Sequence, residues 1–242
     1  LLKRTESIVF KCIKYGETSL IVQVFTPNDG IVPLIVSGVR SKNNKGKAAQ
    51  FQVGQVLDVI YYDKQKEGIM RLKESSLSMH FKTIPFEIPK IALTQYFIEV
   101  TRNCIYQSAL SSDDVYPLII DSFLYLDQPS PPQSNLAVFY LWNLIDRLGL
   151  APYLDAPRGE YLDLQSGEFC HSLPLHHAAL HIDLVIKLKT MLEMDLNQID
   201  SLDLSGKERK FLLESGHQYL RHHLSYFRLP KSADIFREIL RM

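Results

Sequence analysis

The segment YGETSLIVQVFTPNDGIVPLIVSGVRSKNNKGK, from Tyr15 to Lys47, decides how the amino-terminal third of the chain is read. Tyr15-Gly16-Glu17 marks a turn, an apolar strand runs into Phe25-Thr26-Pro27, Gly30 marks a second turn, and another strand reaches Gly38. The loop that follows carries Arg40, Lys42, Lys45 and Lys47, and no carboxylate occurs between Asp29 and Asp58. A local excess of cations on a small β-module is the electrostatic footprint of a phosphate-backbone binder.

Working outward, residues 1–80 read as strands. Ile8 to Ile13, Leu20 to Phe25, Ile31 to Val36, Val56 to Tyr62 and Ile69 to Leu72 are β-branched or aromatic runs separated by Gly16, Asn28-Asp29-Gly30, the Arg40 to Gly54 loop and Lys64 to Gly68. In the first run Ile8, Phe10 and Cys12 share one face and Lys11 takes the other. Five such strands suit a small closed barrel, and the OB-fold is a five-stranded barrel that binds oligonucleotides. An SH3-like barrel fits the same alternation.

The chain has 242 residues, 46% hydrophobic and 22% charged, enough for two globular domains: 1–80, a nucleic-acid-binding barrel, and 81–242, a helical domain. Its 27 Lys and Arg balance 27 Asp and Glu. Residues 1–80 carry 12 cations against 7 acids and the remainder 15 against 20, so the halves are +5 and −5. The neutral total hides a dipolar chain. Cys12, Cys104 and Cys170 are odd in number and far apart, so buried thiols in a reducing cytoplasm are expected. Lys3, Arg4 and Glu6 lead directly into a strand, so no signal peptide is expected. The longest uncharged run, Gln128 to Ile145, begins with prolines and polar residues and cannot supply the ~20 apolar residues of a membrane span.

From Pro85 the period becomes helical. Leu93, Tyr96, Phe97, Val100 and Cys104 form one stripe of a helix starting near Pro89; a second is expected from Ser112 to Leu126, with Asp113 and Asp114 in its first turn. A third, Asn135 to Leu148, is apolar nearly all round and ends at Gly149, which predicts the central helix of a bundle. Pro152, Pro157, Gly159, Gly167 and Pro174 punctuate a small β-hairpin insert over 152–176, with strands at Tyr161 to Leu164 and Glu168 to Cys170. Helices are then expected from His177 to Met194, from a capping box at Ser205-Gly206-Lys207-Glu208 to about Phe227, and after Ser232. The class is α+β: a five-stranded OB barrel followed by an α-helical domain with a hairpin insert.

The candidate phosphate-contacting side chains are Arg40, Lys42, Lys45 and Lys47, with Lys11, Lys14, Lys64, Lys66 and Arg71 in the same module. A loop of Ser, Asn, Gly and Gln leaves its cations mobile and solvent-facing, suited to phosphates; a plain solvated loop is the alternative. Four phosphates neutralised on a single strand give a slope of log K against log salt of about −3. Tyr15, Phe51, Tyr61 and Tyr62 are candidate base-stacking platforms, and Tyr61 and Tyr62 must face opposite ways. Cys170, His171, His176, His177 and His181 form a possible metal cluster, with His177 and His181 at i, i+4, but a single thiolate and no Cys-x-x-Cys argue against zinc. Gly38 is too far from Gly46-Lys47 for a P-loop, and neither a zinc-protease motif nor a nucleophile elbow occurs, so an enzyme is not expected.

The succession Ile8-Val9, Tyr15-Gly16-Glu17, Ile21-Val22, Phe25-Thr26, Gly30 and Ser37-Gly38-Val39-Arg40-Ser41-Lys42 resembles the amino-terminal barrel of the bacterial RecO recombination mediators. Tyr219-Leu220 through Pro230-Lys231-Ser232 to Ile239-Leu240 is similar to that family's final helix pair. The resemblance implies binding of single- and double-stranded DNA, annealing of strands coated by single-stranded-DNA-binding protein (SSB), and, with RecR, help in loading RecA recombinase. It implies DNA contacts at Arg40, Lys42, Lys45 and Lys47. Many members carry four zinc-binding cysteines in the insert; here Tyr153-Leu154-Asp155 and Cys170-His171-Ser172 stand in those regions, so no structural zinc or other cofactor is expected. The helical domain is expected to serve partners, with Lys207, Arg209 and Lys210 rimming a site for the acidic SSB tail. Two other readings stay open: a protein-only adaptor with an OB-like barrel, and a metal-dependent hydrolase using the Cys170/His cluster.

Overall fold

Alternation fills the barrel: Leu20, Val22 and Val24 of one strand and Val32, Leu34 and Val36 of the next are all buried, while Ile21, Gln23, Pro33 and Ile35 between them are more exposed. The computed structural model describes residues 1–41, 46–63, 68–105, 114–129, 134–154 and 158–233. The strands are β1 (Leu2–Tyr15), β2 (Ser19–Thr26), β3 (Gly30–Val36), β4 (Val56–Tyr62) and β5 (Met70–Leu77), closed in the order β1-β2-β3-β5-β4. Every pairing is antiparallel except β3 with β5, where Leu34 lies opposite Met70 and Ile35 opposite Arg71. This is the OB-like closure, and it decides between the two barrels that the sequence leaves open. Val9, Leu57, Val59, Val39 and Phe51 complete the interior with the β2 and β3 side chains. Each such burial contributes roughly 1.5–3 kcal/mol.

Two strands are longer than their apolar runs. β1 begins at Leu2 because Lys3, Arg4, Thr5 and Glu6 pair along β4, and β5 continues through Lys73 to Leu77 along the same strand. A register shift between Val9 and Lys11 reverses the facing of β1 beyond it, so Cys12 packs on the same interior cluster as Val9. Ile8 and Phe10 are buried outside that cluster, which corrects the expected common face. At the Asn28-Asp29-Gly30 turn, Gly30 takes φ +63°, a conformation side chains resist, and the Thr26 hydroxyl accepts from the Asp29 amide at 3.1 Å.

The chain forms two compact units, Leu1–Lys82 with Ser111–Tyr116, and Thr83–Leu110 with Pro117–Met242. The helices are α1 (Ile88–Ile105), α2 (Val115–Leu126), α3 (Leu136–Arg147), α4 (Ile182–Glu193) and α5 (Gly206–His223). The stripe Leu93, Tyr96, Phe97, Val100 and Cys104 is buried as its spacing predicts. Lys90 is buried too, and its ammonium is satisfied by Thr83 Oγ1 and the Gln128 carbonyl, both at 2.8 Å, and by Glu87 at 3.1 Å. Every residue of α3 from Leu136 to Ile145 is buried; Tyr140 stacks on Phe97 with centroids 4.1 Å apart, and Trp142 Nε1 donates to the Leu212 carbonyl at 3.0 Å. The Ser232 hydroxyl donates to Glu99 at 2.7 Å; Ser232 and Ala233 are helical, and the rest of the expected final helix lies outside the described residues.

The insert is a three-stranded sheet in the order β7-β6-β8, made of β6 (Tyr161–Asp163), β7 (Phe169–Cys170) and β8 (Ala179–His181). The third strand takes residues that the sequence reading gives to a helix from His177, and α4 starts only at Ile182. His177 has φ +57° and His181 is the N-cap, its Nδ1 accepting from the Asp183 amide. α5 likewise ends at His223, short of Phe227, after starting with the expected capping box between Ser205 and Glu208.

Gly216 on α5 is a point of close approach: a β-carbon there would lie 2.6 Å from Leu141 Cδ2 and 3.2 Å from Trp142 Nε1 of α3. Gly216→Val is expected to lower the unfolding free energy by about 1–3 kcal/mol, because a fully buried Leu141 and Trp142 must be displaced to admit it. Urea denaturation followed by tryptophan fluorescence measures the shift; an unchanged midpoint contradicts the packing described here.

Candidate nucleic-acid interface

Of the barrel cations that the sequence singles out, Lys42, Lys45, Lys64 and Lys66 lie outside the described residues. Arg40 is not free. Its amide donates to the Thr18 carbonyl at 2.9 Å and its guanidinium to the Gly16 carbonyl at 3.2 Å, so it braces the β1–β2 turn while half-buried. Lys14, opposite Leu20 near the end of β1, and Tyr15 beside it are exposed on that same turn. Lys47 opens a 3-10 turn, Lys47–Phe51, which turns Phe51 and Ala48 into the barrel interior and leaves Lys47 in solvent. Arg40 and the Lys47–Phe51 turn are thus both tied to the barrel.

Lys47 and Arg71, distant in sequence, line one groove of about 640 Å³. Arg71 reaches it because the β3–β5 ladder sets it opposite Ile35, near the end of β3. Two further cations join them that the sequence reading did not select, Arg4 on β1 and Lys73 on β5. Lys73 is left out of the ladder by the register shift between Ile60 and Tyr61, since Leu72 pairs with Tyr61 and Glu74 with Ile60. Only the folded register brings these two in. Arg4 sits 3.7 Å from Asp58, and Lys73 sits 3.5 Å from Glu74. Exposed pairs at such distances are worth about 0–1 kcal/mol and exchange readily for another anion. Lys47 and Arg71 have no ion-pair partner among the described residues. The groove thus carries four cations against the two carboxylates of Asp58 and Glu74.

The aromatic candidates separate by side. Tyr62 is 43% exposed and Tyr61 1%, the opposition that adjacent strand positions require. Burial, with the Asp29 charge behind it, holds the Tyr61 hydroxyl well above its ordinary pKa, and that hydroxyl donates to Asp29 at 3.2 Å. Phe51 is core, so the stacking role proposed for it from sequence is corrected; Tyr15 and Tyr62 remain accessible.

In the helical unit, Lys207 and Lys210 are exposed on the first turns of α5, whereas the Arg209 guanidinium folds back to donate to the Leu204 carbonyl. The three do not form a uniform cationic rim. In the insert, the His176 ring accepts from the Ala178 amide at 3.1 Å through Nδ1 and meets Asp163 at 3.3 Å through Nε2. Burial alone pushes the Asp163 carboxyl up, but the Gln165 and Ser166 amides and His176 outweigh it and hold it below the ordinary range. Cys170 Sγ lies 3.6 Å from the Tyr161 carbonyl. Among the described residues no three His, Cys, Asp or Glu side chains come together as a metal site, and His177 and His181 do not share a helix face. Nor is any described helix long and apolar enough to cross a membrane.

Glu208 closes the capping box at the start of α5. Its carboxylate bonds Lys187 Nζ at 2.6 Å and the Ser205 amide at 2.8 Å, which lowers its pKa from 4.5 to about 2. Because the folded value is depressed, its contribution is fully present above about pH 4.5 and is lost as pH falls toward 2. A carboxyl carbon-13 NMR titration is expected to place the Glu208 midpoint well below that of an ordinary glutamate, and Lys187→Met is expected to raise it. An ordinary midpoint in the unaltered protein contradicts the geometry.

Two family models match the chain: the one described as recombination protein O N terminal over residues 1–81, and the one described as recombination protein O C terminal over residues 85–233. Full-length relatives carry the name DNA repair protein RecO. That of Christiangramia forsetii is 27% identical over 248 residues, covering 99% of each chain. Those of Bacteroides fragilis and Phocaeicola vulgatus are 27% and 25% identical, again over 99% of each chain.

Proposed function

Since matched segments span nearly its whole length, the chain belongs to the recombination protein O family, and from that premise we propose that it is a DNA repair protein whose barrel holds DNA by its phosphates, without reading sequence and without consuming nucleotide. The observation that carries this reading is the groove shared by Lys47 and Arg71, whose charges are not engaged by any described carboxylate. Phosphate contacts position a strand and carry no base information, so such a surface holds any sequence. The β1–β2 turn supplies a second contact zone, with Lys14 and Tyr15 exposed on a turn that Arg40 stiffens. Loops at this position of OB-folds commonly meet ligand. Lys42, Lys45, Lys64 and Lys66 belong to the same proposal by charge and chain position.

Strand annealing follows from the same electrostatics. Two polyanions must be brought together while their bases stay free to pair, and a cationic surface that holds phosphates alone supplies this without fuel. The helical unit, with its acidic balance, is assigned to partners: RecR, the SSB tail, and RecA indirectly. Lys207 and Lys210 are the described cations available there for an acidic tail, with Arg209 acting as a brace.

Replacing the two groove cations that pair with no described carboxylate, Lys47→Ala with Arg71→Ala, is expected to weaken binding of single- and double-stranded oligonucleotides alike and to reduce the steepness of log K against log salt by about 1.4 for single strands. Fluorescence anisotropy across a salt series measures it. An unchanged slope removes this groove as a phosphate site.

A further inference from the structure

The groove of Lys47 and Arg71 is not lined as a phosphate cradle alone. A phosphate only accepts hydrogen bonds, and the carboxylates of Asp58 and Glu74 in the same lining repel it. Base edges are different, because they present donors and acceptors together. The lining offers both: the carboxylates accept, while the Gln50 amide and the Ser75 and Ser76 hydroxyls donate or accept as needed. The Ser75 hydroxyl reaches Gln50 Oε1 only at 3.5 Å, well beyond the common O–H···O distance of about 2.7–2.8 Å, so neither group is held away from a ligand. Val36, Val39 and Leu72 add apolar wall against which a flat ring can lie. At about 640 Å³ the space is of the size that takes a small organic ligand, for which roughly 300–1,000 Å³ is usual.

Resting on the polynucleotide reading above, we infer that this groove admits an unpaired base of the strand whose phosphates Lys47 and Arg71 hold. A base within a duplex has its pairing edge occupied and its faces stacked, so only single-stranded DNA fills the groove. Hydroxyl rotors and an amide accommodate either polarity of edge, which makes the pocket tolerant of base identity. The groove lies on β1, β4, β5, the last residue of β3 and the residues that follow it, and takes no lining residue from β2.

The test compares two fluorescein-labelled single strands of equal length and charge, one of mixed sequence and one abasic throughout. The unaltered full chain is expected to bind the base-bearing strand about tenfold more tightly, the scale of one well-seated base. Gln50→Ala with Ser76→Leu, which removes the adaptable amide and fills the groove from an exposed strand position, is expected to abolish that difference while leaving abasic-strand affinity and the thermal midpoint unchanged. If the double variant unfolds, Gln50→Ala alone is expected to shrink the difference in the same direction. Equal affinity of the unaltered chain for the two strands overturns base entry and leaves the phosphate reading standing. Binding of neither strand removes both. A folded variant that keeps the full difference places the base elsewhere and overturns the groove.

Discussion

Two residue pairs, Leu34 with Met70 and Ile35 with Arg71, turn an open meander into a closed barrel. Every other strand contact is antiparallel, and an open sheet would leave β3 and β5 as exposed edges, a template for wrong pairing. Closure also sets the chemistry. It carries Arg71 to the end of β3, where the chain goes on toward Lys47, so cations far apart in sequence share one groove.

Four of the barrel's acids, Glu6, Asp29, Asp58 and Glu74, are engaged by partners within the barrel. Asp29, the last carboxylate before the basic loop, pairs with Lys3 and accepts from Tyr61. Glu6 accepts from the Ser78 hydroxyl. Asp58 and Glu74 stay in the groove but are matched by Arg4 and Lys73. A chain of zero net charge can therefore present a locally positive surface, and the +5 of residues 1–80 is expressed where a polyanion can approach.

Much of the fold is legible in the residues because burial on one face imposes period two. β4 runs over Val56–Tyr62 as its β-branched pattern predicts, and β2 and β3 match to within a residue at each end. α3 is read correctly because ten successive buried positions leave no polar stripe. What escapes is set by partners distant in sequence. The polar start of β1 is a strand because β4 lies beside it, and the facing of Cys12 depends on an irregularity that propensity does not record. Ala179–His181 looks like a helix start but completes a sheet on β6. The site divides likewise: Lys47 and Arg71 were visible as charge, whereas Arg4 and Lys73 enter only through register, and Phe51, an attractive stacking ring on paper, fills the core. Arg40 is cationic as read, yet it serves as a brace for a turn.

Whether the barrel holds polynucleotide is measured most directly by the rate at which two complementary, quencher-paired oligonucleotides anneal in the presence of the protein. The unaltered chain is expected to accelerate annealing, and Lys14→Gln, Lys47→Gln and Arg71→Gln together are expected to abolish the acceleration while the thermal midpoint holds. Acceleration by the folded triple variant equal to that of the unaltered chain would contradict the assignment of the polynucleotide surface to the barrel.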